Sequence, residues 1–168
     1  MTVRKKKVVK PKVITTIEME LAIANKFGVR TNIIVPNISW GLVGMHECDM
    51  FIIKSSGYCV EVEIKRSKSD LLADFKKEHN HKDRRNRIKE FYYCFPETML
   101  KTFEPLIPKE AGIITCHRYV NGVHAKFYRD PVPNRLAVKL SHEEQFKVAK
   151  LGCMRIFSLK KKIISLSK

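Results

Sequence analysis

Asp49, Glu61, Glu63 and Lys65 are the residues whose types and spacing could do chemistry. Asp49 opens a β-prone stretch that runs to Lys54. A Ser55-Ser56-Gly57 turn separates it from a second stretch, Tyr58 to Lys65. Side chains alternate along a strand, so Tyr58, Val60, Val62 and Ile64 face one way and Cys59, Glu61, Glu63 and Lys65 the other. One face is expected to be apolar core, and the opposite face carries acid, acid, base. Strands joined by so short a turn pair antiparallel, which brings the start of the first beside the end of the second. The register itself is not readable from the sequence. Two carboxylates and an ammonium should therefore meet at one end of a sheet. Such a pair of carboxylates suits Mg²⁺, a hard cation that prefers oxygen and keeps several waters. The ion polarises a phosphodiester and lowers the pKa of a bound water. A neighbouring lysine orients that water and offsets the charge that develops on phosphorus. The plain alternative is a surface strand whose acids pair with lysines on neighbouring strands.

The elements that must hold these groups follow from local signals. Thr15 and Glu18 have capping-box spacing ahead of apolar Met19, Leu21, Ala22, Ile23 and Phe27, so a helix is expected over 16–27, stopped by Gly28. A strand over 31–36 follows, then a Gly-flanked loop around Trp40. After the hairpin, Ser67 or Ser69 caps a helix through Leu71, Leu72 and Phe75 to about Lys77. Phe91 to Phe95 reads as a strand ending at Pro96, 97–103 as a short helix and Ala111 to Cys116 as a strand. Asn121-Gly122 marks a turn within a hairpin or loop over 119–135. Ser141 and Glu144 form a second capping box that starts a helix running past 155. The domain reading is a basic arm over 1–13, a core over 14–120, and a C-terminal hairpin and helix over 121–168 packed on that core.

Composition frames the partner. The 168 residues carry 33 Lys+Arg against 17 Asp+Glu, a net charge of +16. So large a surplus on one small domain points to a polyanion, most often nucleic acid. No apolar run approaches the ~20 residues that cross a bilayer, so no membrane partner is expected. The basic start is followed by no apolar segment and does not read as a secretory leader. Five cysteines, an odd number without a C-x-x-C pair, fit a reducing cytoplasm.

With these residues in place, the stretch His46-Glu47-Cys48-Asp49, the hairpin, Glu61-Val62-Glu63-Ile64-Lys65-Arg66-Ser67 and the following Asp70 and Asp74 resemble the PD-(D/E)xK nuclease superfamily, and within it the MmcB-like DNA-repair branch. Phe91-Tyr92-Tyr93-Cys94-Phe95-Pro96 and Gly112-Ile113-Ile114 continue the likeness, which spans about 15–117. The resemblance implies an α/β fold with a restriction-endonuclease-like core, α-β-β-β-α-β, its mixed central sheet flanked by helices. It implies a metal-dependent DNA endonuclease acting in repair, recombination or phage DNA processing, in the cytoplasm and near the nucleoid of a prokaryote or its phage. Asp49 and Glu63 become ligands of Mg²⁺ or Mn²⁺, and Lys65 the catalytic lysine. The carbonyl of Ile64 is a further ligand, as is Glu20 on the first helix, Glu18 being taken up by capping. Glu61 is an additional acid that replaces Glu63 as ligand or pairs with Lys65. Ser67 lines the site or simply caps its helix. Many members act as dimers, so a homodimer is allowed, although the sequence carries no interface signal. A family member without catalysis, kept as a nucleic-acid-binding protein, is the alternative.

The remaining cations are assigned to DNA. Lys68, Lys76, Lys77, His79, His81, Lys82, Arg84, Arg85 and Arg87 form a charged segment suited to phosphate contacts, or else a solvated turn. His79-Asn80-His81 spells HNH without the spread of residues that such a nuclease needs. Cys94, Cys116, His79, His81 and His117 match no zinc-ligand spacing.

Overall fold

A computed structural model describes residues 13–38, 48–76 and 86–167. The expected basic arm, the Trp40 loop, Lys77 and most of the charged segment lie outside the described residues.

The chain begins with α1 (Thr16–Phe27), capped as expected: Thr15 and Glu18 form a complete capping box, and Gly28 closes the helix at φ +83°. Three strands follow, β1 (Ile33–Ile38), β2 (Cys48–Ile53) and β3 (Cys59–Ile64), then α2 (Lys68–Lys76) and β4 (Ile88–Pro96). Short helical turns over 97–106, including α3 (Leu100–Phe103), lead to the β5 (Gly112–Tyr119) and β6 (Gly122–Arg129) hairpin and to α4 (His142–Leu166). The strands form one six-stranded mixed sheet in sequence order. β1–β2–β3 is an antiparallel meander, β3–β4–β5 is parallel, and β6 returns antiparallel. The crossover through α2 makes the parallel β3–β4 pair possible, since parallel neighbours need a long connection.

Three expectations shift. Strand β1 starts and ends two residues later than 31–36, and β4 starts three residues earlier than Phe91. The β5–β6 hairpin straddles the expected boundary at 120, so β6 belongs to the same sheet as the core. The polar face of β3 is not open. All six residues of β3 are buried, because helices cover both faces of the sheet. On one face α1 packs Met19, Ala22 and Ile23 against Met50, Ile52, Val60, Val62 and Ile64. On the other, Phe51, Ile53 and Cys59 meet Val148 of α4, while Leu71 of α2 meets Tyr93 and Phe95. Glu61, Glu63 and Lys65 are buried as well.

Helix α4 packs through its first half only. Val148 is buried and Gly152 rests on Val35, whereas residues 153–167 are all exposed. None of the described helices is long and apolar enough to cross a membrane.

At Gly112 the start of β5 passes so close to β4 that a Cβ would collide with the Tyr92 ring. Gly112→Ala should lower the unfolding free energy by about 1–3 kcal/mol. The measurement is a urea titration, with a lower midpoint at unchanged slope expected.

Candidate metal and phosphodiester site

The site is assembled by the register of β2 and β3. Met50 pairs with Val62, so one step further Asp49 stands opposite Glu63. The backbone N–H of Ile64 donates to Asp49 Oδ2 at 2.7 Å, which fixes that carboxylate across the strand ends. Asn37 of β1 falls opposite Asp49 on the other side, between the pairs Pro36–Met50 and Ile38–Cys48. Its φ of +52° is one that asparagine tolerates better than most residues.

Lys65 follows β3 directly and its side chain is only 4% exposed. Its ammonium donates to Glu63 Oε2 at 2.8 Å and to Asp74 Oδ1 of α2 at 3.0 Å. The other oxygen of Asp74 accepts from the Tyr93 hydroxyl at 3.1 Å. Tyr93 pairs with Glu63 in the parallel β3–β4 register, which is why its ring lies beside this cluster. A buried ionic chain Glu63–Lys65–Asp74 with a tyrosine at its end thus spans β3, α2 and β4.

Charges packed this closely shift one another. Burial raises the Asp49 carboxyl above its ordinary value against the opposing Ile64 hydrogen bond. Burial and then the Asp49 charge push Glu63 up to about 7, and Lys65 offsets only part of this. Burial alone would depress Lys65, but the Glu63 and Asp74 carboxylates outweigh it and hold the ammonium above its usual range. The Oε1 atom of Glu63 is buried and has no hydrogen-bond partner among the described residues.

The remaining expected residues fall into place unevenly. Glu20 of α1 is half-buried and accepts from the Asn37 side-chain amide at 3.3 Å. Burial raises its carboxyl, and the charge of Asp49 adds to this, so the two acids are near enough to sense each other. Arg155 of α4 donates to the Asn37 carbonyl and lowers Glu20 in return. Glu18 is committed elsewhere, to the α1 cap and to Arg118 at 2.8 Å, which hold it down to about 2. Glu61 is fully buried two residues before Glu63 on β3, beside Phe51 and Phe91. Among the described residues no three His, Cys, Asp or Glu side chains converge to hold a metal ion. The acidic pair at the strand ends is therefore Asp49 and Glu63, with Glu20 bound to Asn37.

Ser67 acts as the α2 cap: its Oγ accepts from the Asp70 N–H at 3.1 Å. Lys68 is exposed on the first turn of α2. Arg87 is not an open phosphate ligand, since it pairs with Glu144 of α4 at 2.8 Å. Lys77, His79, His81, Lys82, Arg84 and Arg85 lie outside the described residues, and of Lys76 only its place as the last residue of α2 is described. Cys94 and Cys116 touch, sulfur to sulfur at 3.5 Å, but His117 bonds to Thr115. A cleft of about 420 Å³ opens at the far end of β2, lined by Phe27, Lys54, Glu90, Tyr92, Phe127 and Asp130, and there Glu90 is paired with Lys54 at 2.7 Å.

Sequence reasoning passed over Asn37 and Arg155 and read Tyr93 only as sheet packing within the Phe91 to Pro96 strand. Neither Asn37 nor Arg155 carries a motif signal, because each reaches the site through pairing or packing.

Sheet and cluster together define a mixed α/β protein with a buried acid–base chain at the end of its central strands. No family model and no curated protein matches the chain. The structure is similar to that of a protein of unknown function from Silicibacter pomeroyi, with a TM-score of 0.59 at 13% identity over 89% of this chain and 90% of that one. At such low identity the likeness concerns the fold alone.

The raised Glu63 carboxyl has a consequence for stability. A folded-state value of about 7 against an ordinary 4.5 means the folded protein holds this proton more tightly. The contribution is complete below 4.5 and is lost as pH rises through about 7. In metal-free protein the loss should reach about 3 kcal/mol at most. Urea denaturation in chelator between about pH 4 and pH 8 reads this slope, and Glu63→Gln should flatten it.

Proposed function

We propose that the chain is a Mg²⁺- or Mn²⁺-dependent endodeoxyribonuclease of PD-(D/E)xK type that hydrolyses DNA phosphodiester bonds. The observation that carries this reading is the meeting of Asp49, Glu63 and Lys65 at one buried sheet end, with Glu63 Oε1 unpaired. The order α1-β1-β2-β3-α2-β4 supports it, since it is the α-β-β-β-α-β order the resemblance to the MmcB-like branch implies.

The donor set fits a hard divalent cation. Asp49 and Glu63 offer carboxylate oxygens, and the Ile64 carbonyl is a third donor. Mg²⁺ is commonly held by one or two carboxylates, with waters and substrate phosphate filling its shell. Once bound it would supply Lewis acidity toward the phosphodiester and a more acidic water. Glu63 can serve while keeping its Lys65 contact, because its two oxygens are differently engaged. Lys65 stays an ammonium and so cannot accept the proton of the attacking water. Its role is to donate: it orients the water and offsets charge on the phosphoryl oxygens. The surplus of positive charge is suited to the DNA backbone, and Lys68, exposed on the first turn of α2, is one such cation.

A second reading is a DNA-binding protein that keeps the fold without catalysis.

Supercoiled plasmid incubated with Mg²⁺ or Mn²⁺ separates the two. Nicking that needs the ion is expected, and binding without nicking supports the second reading. Asp49→Asn and Lys65→Ala should each lower the cleavage rate by about 10²-fold or more, with DNA affinity near wild type in gel shifts. Full activity of Lys65→Ala would sink the mechanism.

A further inference from the structure

The buried chain contains two residues to which the nuclease reading gives no task. Asp74 is buried on α2 and both of its oxygens are engaged, Oδ1 by Lys65 and Oδ2 by the Tyr93 hydroxyl. Tyr93 is fully buried, its ring held edge-on by Phe75 and Phe91. The hydroxyl therefore has a fixed position, and Asp74 has a fixed partner.

An ammonium has three N–H donors and no acceptor. At Lys65 one goes to Glu63 and one to Asp74. The third has no partner among the described residues. Two anchors on different elements set the direction of that third donor. With Glu63 as the only anchor, the flexible lysine stem could swing about that single contact, and its charge would be drawn onto the carboxylate. Asp74 shares the charge, while Glu63 meets it through Oε2 and its Oε1 stays unpaired.

We propose that Asp74 and Tyr93 are positioning residues for Lys65: Asp74 gives the ammonium a second anchor besides Glu63, and Tyr93 fixes Asp74, so that the third Lys65 donor is held ready for water or phosphate. This inference rests on the nuclease reading for its catalytic consequence, but the anchoring itself is a property of the protein alone.

The test uses the full chain with Asp74→Asn and Tyr93→Phe, both close in shape to the native residues. Two readouts are taken well below each variant's melting temperature: plasmid cleavage with Mn²⁺, resolved into kcat and KM, and the ¹⁵N resonance of the Lys65 ammonium. Supporting groups around a site typically contribute 10–100-fold to activity. Asp74→Asn is expected to lower kcat by about 10–100-fold with KM for DNA unchanged. Tyr93→Phe should lower kcat several-fold in the same pattern. The slowly exchanging ammonium signal of the wild type should broaden or vanish in Asp74→Asn. A purely structural role would lower the melting temperature and leave both readouts alone, which overturns the inference. Should Asp74→Asn fail to fold, Tyr93→Phe decides by the same readouts. If the wild type cleaves nothing, the nuclease reading fails, while loss of the ammonium signal in the variants still supports the anchoring. An unchanged signal in both variants overturns the anchoring whatever the wild type cleaves.

Discussion

The interaction on which the rest depends is the burial of the Lys65 ammonium between Glu63 and Asp74. Removing charged groups from water costs several kcal/mol per ion, and the pair's attraction repays it only with good geometry and further hydrogen bonds. Here the geometry is good: 2.8 Å and 3.0 Å to two carboxylates, with a tyrosine completing the second. Removing one partner of such a group typically costs about 3–5 kcal/mol. The cluster therefore makes strict demands on its surroundings. Strand β3, helix α2 and strand β4 must all be in place before the whole set of its contacts is complete.

The layered fold meets those demands. Strand β3 is central, antiparallel to β2 on one side and parallel to β4 on the other. The antiparallel neighbour sets Asp49 opposite Glu63, and the parallel neighbour sets Tyr93 beside it. Helix α2 is the crossover that parallel pairing requires. Capped by Ser67, it presents Leu71 to the core and Asp74 to Lys65. The same connection that makes the sheet mixed thus delivers the second anchor of the lysine.

Charge is distributed in two tiers. The chain as a whole is strongly cationic, yet the carboxyls of Glu20, Asp49 and Glu63 are raised, chiefly by their burial and in part by the Asp49 charge acting on the other two. Under the proposed function these acids would take a divalent cation and the surplus of positive charge would serve the phosphate backbone. The net charge alone indicates only a polyanion partner.

Much of the fold was legible locally. The two capping boxes, Thr15 with Glu18 and Ser141 with Glu144, and the Ser55-Ser56-Gly57 turn lie where spacing places them. The alternation that sets Glu61, Glu63 and Lys65 on one face also holds. These features depend on residues two to four apart, whose geometry is dictated by the backbone of a single helix turn or strand. Alternation was misleading in one respect: it marks which residues share a face, not whether that face meets water. The covering of β3 by α2 and α4 depends on packing between distant segments. So do the opposition of Asp49 and Glu63, the arrival of Tyr93 beside Glu63, and the choice of Asp74 rather than Asp70 as the partner of Lys65. Asp70 lies in the first turn of α2, where its side chain accepts from the Arg66 backbone at 3.4 Å. Asp74 lies one turn further along the face that meets the sheet. The sequence by itself determined the elements and the types of charge they carry. Only the tertiary structure decided which charges are buried together, because that follows from register and layer contact, which bring together side chains far apart along the chain.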